Sequence, residues 1–371
     1  MPIRKIEFYI EISSFFFLPF QEMSKDFINK LFMSLSEIKT SDKLNFIGLL
    51  ITKYRPQLTP RTFQTLVKNQ DELHLYGKIG LALIPAPEMA PTTLYNFILV
   101  LLPDISPLNS FQKFSLYMRL VQAAVYSNNA KSLWSENIIK KVQQVHPSLY
   151  TAPLAFLACM TGHAVEPPSI LHSNPRIAAL TLFYCGLNFL IQKNYQEAYR
   201  NLMQATCFID LFPDMRAAFL QKYSLAAFLN HVPSEVFFQN FNNDSPSDVH
   251  FLWSLDMKTP RFLEELTSSH KFGSSTHFYS EFAVEISKEH SKRLILKFSR
   301  VISLVSKQEL ANLVGIGNSE LKSLIRDLEK SDGLTIEQNG DILILHEAPV
   351  EPILERELNQ VSELLPLLKQ S

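Results

Sequence analysis

The chain has 371 residues, of which 46% are hydrophobic and 19% are charged, and its formal net charge is −1. This near-neutral charge argues against a general role in binding nucleic acid or anionic membranes, because both need a positive surface. The length is enough for more than one hydrophobic unit. Cys159, Cys185 and Cys207 are widely spaced, so they predict buried thiols in a reducing compartment and no disulfide or metal framework.

The first 22 residues form an N-terminal extension to which the pattern assigns no structure. Residues 6–20 are apolar and aromatic and follow two basic residues, which is the order of a secretory signal. However, Glu7 and Glu11 interrupt the run, no small-residue cleavage site follows, and the run is too short to span a bilayer. A regular amphipathic pattern begins at Met23, so translation starting there is an alternative.

From residue 23 to about residue 300 the sequence predicts an array of helices. Apolar residues recur at helical spacing in segments of roughly 12 to 20 residues, which prolines and Asn/Ser clusters separate. The continuous apolar run from Ile98 to Leu102 fits either a buried helix or a strand.

A pair of helices like a tetratricopeptide repeat is predicted for residues 178–210. Such repeats place small residues where two helices cross closely. The residues with this spacing are Leu182, Gly186, Phe189, Ala198, Leu202 and Ala205. The segment Lys193-Asn194-Tyr195 supplies the turn between the helices. A generic helical hairpin is the alternative, and either version predicts stacked helical pairs with a long protein-binding surface.

Residues 301–347 have the pattern of a winged helix, which is helix, short turn, helix and hairpin. Ser306 and Glu309 give the signal of a capping box at the start of the first helix, and Gly315 is typical of its end. Asn318 can cap the second helix. The apolar stripe of that helix consists of Leu321, Leu324, Ile325 and Leu328.

The hairpin is indicated by Asn339-Gly340, with apolar β-forming residues on both sides. Its second strand is too apolar to be left as a bare sheet edge. We therefore expect a neighbouring subunit to pair with this strand by main-chain hydrogen bonds. The predicted interface residues are Ile342, Leu343, Ile344 and Leu345.

Residues 348–371 predict a C-terminal helix after a break at Ala348 to Pro352. Its heptad seam, a second predicted partner interface, consists of Leu354, Leu358, Val361, Leu365 and Leu368. The stripe is widened by Ile353, Leu364 and Leu367. It can pack back on its own domain or join helices of other chains. The second alternative is favoured because the break lets the helix swing away.

No enzyme signature is found in the sequence. The spacings of common zinc hydrolases, the P-loop and the Gly-x-Ser-x-Gly elbow are all absent. We therefore predict no enzyme activity and no catalytic, cofactor-binding or metal-binding residues. A winged helix also suggests DNA binding, but the charges on the exposed positions of the second helix nearly cancel. Those positions are Glu320, Lys322, Ser323, Arg326, Asp327, Glu329 and Lys330.

Helical repeats that run into a winged helix and a terminal helix resemble the PCI family, over about residues 176–345. The residues that carry the resemblance are Tyr184 to Leu190, Lys193 to Ala198, Lys222 to Leu225, Phe262 to Leu266, His270, Phe272, Lys292, Ile302 to Leu304 and Glu309 to Ala311. Members of this family are scaffolds of the proteasome lid, the COP-9 signalosome and translation initiation factor three.

The resemblance implies a mostly α fold, namely stacked helical hairpins capped by a winged helix with a small β-hairpin and followed by a C-terminal helix. It also implies a non-catalytic scaffold subunit in the nucleus and cytoplasm. Its partners would be other PCI subunits, with no small-molecule substrate, nucleic acid or membrane. In the signalosome, the zinc site that removes Nedd8 from cullins lies on a different subunit. A proteasome-lid subunit and a winged-helix nucleic-acid binder remain alternatives.

Overall fold

The computed structural model describes residues 32–33, 35–36, 60–83, 90–240, 247–254, 282–299, 301–331 and 335–346. The described chain is mostly helical, with a small antiparallel sheet of three strands near the C-terminus. It divides into two compact units between Asn230 and His231, so the predicted boundary near residue 300 falls inside the second unit. In these ranges no helix is both long and apolar enough to cross a membrane.

The described part of the first unit is built mainly from helices. Its helices are α1 (Pro60–Lys68), α2 (Leu75–Ala82), α3 (Pro91–Leu101), α4 (Ser110–Tyr126), α5 (Ala130–Ser135), α6 (Ile138–Val145), α7 (Pro147–Thr161), α8 (Pro175–Ile191), α9 (Tyr195–Thr206) and α10 (Arg216–Leu229). A longer irregular segment, residues 162–174, joins α7 to α8. Single turns of 3-10 helix cover Gln70–Glu72, Leu102–Asp104, Ile209–Leu211 and Pro213–Met215. The ambiguous apolar run at residues 98–102 is therefore helical, which is the buried-helix alternative.

Helices α7 to α10 pack in sequence, each against the next. The predicted turn between α8 and α9 is present, with Lys193 in the left-handed region at φ 63° and Asn194 capping α9 by accepting from the Glu197 N–H. Gly186 of α8 and Leu202 of α9 are both buried where these helices cross. The helical hairpin predicted for residues 178–210 is confirmed as a pair of packed helices.

The second unit combines helices with the sheet. Its elements are α11 (Ser234–Asn240), α12 (Ser247–Ser254), α13 (Ala283–Ser299), β1 (Leu304–Ser306), α14 (Lys307–Val314), α15 (Asn318–Ser331), β2 (Thr335–Asn339) and β3 (Ile342–His346). Most of the local signals are confirmed. Ser306 and Glu309 form a capping box at the start of α14, and Gly315 ends this helix at φ 75°. Gly340, at φ 63°, lies in the turn of the β2–β3 hairpin.

One hydrophobic core joins the sheet to three helices. The apolar stripe of α15 faces this core, with Leu321, Leu324 and Leu328 buried and Ile325 half-buried. The remaining core residues are Ile295 of α13, Val305 of β1, Leu310, Ala311 and Val314 of α14, and Leu343 and Leu345 of β3. Ile295 shows that α13 contributes to the core beneath the sheet.

The strand order is β1-β3-β2, and both neighbours of β3 are antiparallel to it. The prediction that Ile342 to Leu345 form an edge strand, to which a neighbouring subunit adds, is therefore wrong, because β3 is the central strand. The sequence pattern missed β1, which has only three residues and pairs with a strand almost forty positions away. The predicted C-terminal helix, residues 348–371, lies outside the described residues.

The three cysteines differ in their environments. Cys159 and Cys185 are buried and Cys207 is exposed, so the prediction of buried thiols is wrong for Cys207, which follows the last residue of α9 at a turn. Burial raises the pKa of the Cys185 thiol, and the neighbouring Cys159 raises it further. The Cys159 and Cys185 side chains are packed between helices of the first unit, where burial makes a thiol inert.

Candidate protein-interaction surface

The two faces of the three-stranded sheet differ in burial because successive side chains of a strand point to opposite sides. Val305 of β1 pairs with Leu343 of β3, and both are buried against the helices together with Leu345. This inner face belongs to the core of the second unit. Leu343 and Leu345 are thus core residues. Ile342 and Ile344, the other two residues of the predicted interface, lie on the opposite face.

The outward face of the sheet carries three apolar side chains. Leu304 of β1 pairs with Ile344 of β3, and Ile342 is the next residue of β3 on the same face. Leu304 is 60% exposed and Ile342 is 50% exposed, while Ile344 is half-buried. Beside them Glu337 Oε1 and His346 Nε2 lie 3.4 Å apart. Leu304, Ile342 and Ile344 are called the outward patch below.

The directions in which the backbone groups of β3 point show which side of β2 is left without a partner strand. The Leu345 N–H donates to the Ser303 carbonyl at 2.9 Å, so the backbone groups of Leu345 point toward β1. In an antiparallel ladder, directions alternate along the strand, so the intervening residues of β3 bond to β2. Ile336 is paired in register with Leu345, and its own N–H and C=O therefore point away from β3.

The same alternation places Gln338, which is in register with Leu343, with its backbone groups pointing outward. Glu337 lies between these two residues and is in register with Ile344, so it bonds to β3. Two residues of β2, Ile336 and Gln338, therefore present two N–H and two C=O groups along one side. No described strand pairs with this side of β2. Such a row is a template for another strand.

The opposite edge of the sheet, along β1, is shorter and partly closed. Its outward-pointing residues are Leu304 and Ser306, by the same alternation. The Ser306 N–H already donates to Glu309 Oε2 at 3.2 Å. The hydrogen bonds from Ser306 lower the pKa of the Glu309 carboxyl, because they stabilise its ionised form. Of the two edges, β2 therefore has the greater capacity to pair with an added strand.

The hairpin turn is tied to the start of α14. The Lys307 N–H donates to the Asp341 carbonyl at 2.9 Å, and Lys307 Nζ donates to the Gly340 carbonyl at 2.7 Å. These bonds hold the tip of the β2–β3 hairpin against a helix that is itself packed in the core. The edge of β2 is therefore positioned before any partner binds, which lowers the entropic penalty of binding.

The exposed surface of α15 carries charges of both signs. Its exposed charged residues are Glu320, Lys322, Arg326 and Glu329, and Asp327 is half-buried. Asp327 forms an ion pair with Lys288 of α13 at 2.7 Å. A helix that reads the major groove needs an excess of positive charge to neutralise phosphates, and the described exposed side chains of α15 provide two positive and two negative charges.

Histidines, cysteines and carboxylates do not gather into a metal site in the described part of the chain. His163 stacks on Trp134 with ring centroids 4.1 Å apart, and His290 is buried in α13. His231 Nδ1 lies 2.7 Å from Glu289 Oε1. His163 therefore packs on an aromatic ring, His290 is buried in a helix, and His231 lies beside a carboxylate.

The residues that the sequence predicted as one interface therefore lie in different parts of the structure. Ile342 and Ile344 contribute to the outward patch, and Leu343 and Leu345 belong to the core. The seam residues Leu354, Leu358, Val361, Leu365 and Leu368 lie outside the described residues. Sequence reasoning missed Ile336 and Gln338, since no local signal distinguishes an edge strand from a central one when the third strand is undetected.

No family model matches the chain, and no curated protein matches it. The function proposed next is based on the sheet edge, the surface charge and the packed helices.

Proposed function

We propose that the chain is a non-catalytic scaffold subunit of a multi-subunit assembly, and that it binds a neighbouring subunit through the free edge of β2. The observation that carries this proposal is the outward direction of the backbone groups of Ile336 and Gln338. Addition of a strand to an exposed sheet edge is a recurring mode of protein recognition. The hydrogen bonds from Lys307 to the hairpin turn support it, because they fix the geometry of the edge.

The arrangement of elements supports a winged helix joined to helical repeats. In the second unit, α14 and α15 pack on one face of a three-stranded antiparallel sheet that ends in a hairpin. In the first unit, α7 to α10 pack consecutively, as the helices of a repeat array do. Stacked helices of this kind provide extended surfaces for protein partners.

This combination favours an assembly of the PCI class, which is the family that the sequence resembles. We propose the COP-9 signalosome as the assembly, on the basis of the residues between about 176 and 345 that carry the resemblance. In that complex the chain would hold other subunits together while a different subunit removes Nedd8 from cullins. A subunit of the proteasome lid is the alternative within the family.

A nucleic-acid-binding winged helix is the alternative from another class. The mixed charge of α15 counts against it, because a phosphate-binding surface needs an excess of Lys and Arg. The ion pair between Lys288 and Asp327 further reduces the positive charge that is free to meet a phosphate. The protein-scaffold proposal therefore has more support from the described residues.

The test is co-purification of the tagged full chain from its source cells, followed by mass spectrometry. Gln338→Pro removes the outward N–H of an exposed residue and leaves the hydrogen bonds between β2 and β3 in place. Gln338→Ala is the matched control, because it removes the same side chain but retains the N–H. We expect Gln338→Pro to recover less of its partner subunits than wild type does, and Gln338→Ala to recover as much.

Both variants should melt close to the wild-type temperature, which would exclude unfolding as the cause. Equal recovery of partners with both variants would contradict binding through the β2 edge. Recovered signalosome subunits would support the first assembly, and lid subunits would support the second. Retention on DNA or RNA columns at physiological salt, with no partner subunits, would favour the nucleic-acid alternative.

A further inference from the structure

The side chains of β2 alternate between the two faces of the sheet, and this alternation determines what an added strand meets. Ile336 is in register with the buried Leu345, so its side chain lies on the inner face. There it is half-buried and packs against the core. Gln338 is in register with the buried Leu343 and lies on the same face. The side chain of Glu337, between them, lies on the outward face and is 65% exposed.

The hairpin that carries this edge is acidic. Residues 335–346 include Glu337 and Asp341 and no Lys or Arg. The side chain that approaches Glu337 is that of His346, whose Nε2 lies 3.4 Å from Oε1. Lys307 lies at the turn instead, where its Nζ is 3.9 Å from Asp341 Oδ1. Among the described residues, the Glu337 carboxylate therefore has no Lys or Arg beside it, and an added strand can supply one.

Antiparallel addition places one residue of the partner directly opposite Glu337. The described strands of the sheet are antiparallel, and antiparallel pairing is slightly more stable per residue than parallel pairing. Ile336 and Gln338 hold the outward backbone groups, so they form the hydrogen-bonded pairs with the partner. Glu337 then occupies the non-hydrogen-bonded pair between them, in which the side chains are closest. An opposite charge in that pair is favourable and a like charge is unfavourable.

We infer that the strand that adds to β2 is antiparallel and carries Lys or Arg opposite Glu337 and an apolar residue opposite Ile336. The apolar residue lies beside Ile336 on the inner face and extends the core there. A polar residue fits opposite Gln338, which is exposed. From its N-terminus, the partner strand is therefore polar, basic and apolar in that order. This inference rests on the proposed function, since it specifies the partner of the same edge.

A second copy of β2 fits this edge less well than a basic strand does. The register that uses all the outward groups of both copies pairs Ile336 of one copy with Gln338 of the other. It also places Glu337 opposite the same residue of the second copy, and two like charges in a close pair are destabilising. Charges on edge strands commonly prevent unwanted pairing in this way. The same carboxylate thus disfavours self-association and favours a basic partner.

Two short peptides, acetylated and amidated at their ends, test the charge of the partner. Ser-Thr-Arg-Val-Thr has the inferred order, and Ser-Thr-Glu-Val-Thr differs from it only in the central residue. Each peptide is titrated into the full chain at low salt, and the amide NMR signals of Ile336 and Gln338 report binding at the edge. We expect the Arg peptide to bind about threefold to tenfold more tightly than the Glu peptide. High salt should reduce this difference, because the paired charges are exposed.

Variants of the chain separate the effect of Glu337 from that of net charge. Glu337→Lys should invert the preference between the peptides, and Glu337→Gln should abolish it while both peptides still bind. Glu329→Lys, at an exposed position of α15, makes the same change in net charge as the first variant. It should leave the preference as it is in wild type. Circular dichroism monitors the folding of all three variants.

Equal affinities of the two peptides for the wild type, with shifts at Ile336 and Gln338, would overturn the inference and leave the β2 edge as a binding site. Shifts at these amides that grow with the concentration of the chain alone would also overturn it, because a second copy would then be the occupant. The proposed function itself would fail if neither peptide shifted these amides. It would also fail if methylating the backbone nitrogens of the Val and of the Thr before Arg left binding unchanged, since those N–H groups face the edge.

Discussion

Gly186 of α8 lies so close to Leu202 of α9 that a Cβ atom at position 186 would be 2.6 Å from Leu202 Cγ and 3.1 Å from the Leu202 backbone nitrogen. The absence of a side chain at position 186 therefore sets the distance between the two helices. Both residues are buried, so the contact cannot be relieved by movement into solvent.

Gly186→Ala should destabilise the first unit. The added methyl group forces α8 and α9 apart or moves Leu202 from its rotamer, and overpacking of this kind costs about 1–3 kcal/mol. Gly317→Ala is the matched control, since the nearest atom to its Cβ would be Ser319 Oγ at 4.0 Å. The control should change stability by less than about 1 kcal/mol, because the added methyl group meets no close neighbour and the only cost is that of Ala at the residue before α15. Urea unfolding of both variants measures the difference, and equal midpoints would contradict the close contact.

Asn188 of α8 connects this helix to the loop that precedes it. Its Oδ1 accepts from the Val165 N–H at 2.9 Å, and its Nδ2 donates to the His163 carbonyl at 2.8 Å. Asn188→Leu should destabilise the protein by about 1–3 kcal/mol for each buried group left without its partner. Amide hydrogen exchange at Val165 should become faster.

Thr181→Val serves as the control for Asn188→Leu. Thr181 is also fully buried, but its hydroxyl donates only to the Ile177 carbonyl of the same helix. We expect a much smaller change in stability and unchanged exchange at Val165. If both variants changed exchange at Val165 equally, Asn188 would not anchor the loop.

Arg293 and Glu289 form an ion pair within α13 that is almost fully shielded from water. Arg293 Nε donates to Glu289 Oε1 at 3.1 Å, and the two side chains are 10% and 6% exposed. Arg293 also donates to the Val232 carbonyl at 3.1 Å and lies over the Trp253 ring at 5.4 Å. One side chain therefore joins α13 to α12 and to the chain before α11.

Arg293→Met should cost about 3–5 kcal/mol, because it leaves the Glu289 carboxylate buried without its main counter-charge. Adding Glu289→Gln to Arg293→Met should recover part of that loss, because the second change removes the isolated charge. Thermal unfolding of the two single variants and the double variant forms a double-mutant cycle. Strictly additive effects would show that the two residues do not interact.

The capping box of α14 predicts a dependence on pH. The Ser306 hydroxyl and backbone lower the pKa of Glu309 from its ordinary value of 4.5. A lowered folded-state pKa means that the ionised carboxylate favours the folded state above pH 4.5, and that this contribution disappears as the pH falls through the lower value. Wild type and Glu309→Gln should therefore differ in stability at neutral pH and converge in acid.

Ser306→Ala tests the same cap from the other side. Loss of the hydroxyl that accepts from the Glu309 N–H at 3.2 Å should cost about 1 kcal/mol. Ser303→Ala, at an exposed neighbouring position, is the control and should be close to neutral. A difference between wild type and Glu309→Gln that persisted unchanged into acid would contradict the role of the ionised carboxylate.

Local chemistry explains which elements could be predicted from the sequence. The Ser306–Glu309 cap, the left-handed Gly315 and the Asn339-Gly340 turn each depend on a few adjacent residues, and all three are present. Repeat spacing predicted a small residue, Gly186, where two helices cross, whereas its contact with Leu202 is known only from the structure. The winged-helix and scaffold assignments remain predictions.

The edge of the sheet could not be predicted because it depends on pairing between distant residues. Ser303 accepts from Leu345, more than forty positions later, and this single strand partner changes β3 from an edge strand to a central one. The Arg293–Glu289 spacing is visible in the sequence, but their burial depends on Trp253 and Val232, which approach from other elements.

The short edge of β2 sets a limit on the strength of the contact it can make. Ile336 and Gln338 together provide four main-chain groups, and a net contribution of about 1 kcal/mol for each hydrogen bond gives about 4 kcal/mol. A free energy of that size corresponds to a dissociation constant near 1 mM. A neighbour held by this edge alone would exchange rapidly. The edge can therefore fix the register of a partner. A long-lived complex requires a second point of attachment, and binding at the edge raises the effective concentration for that second contact.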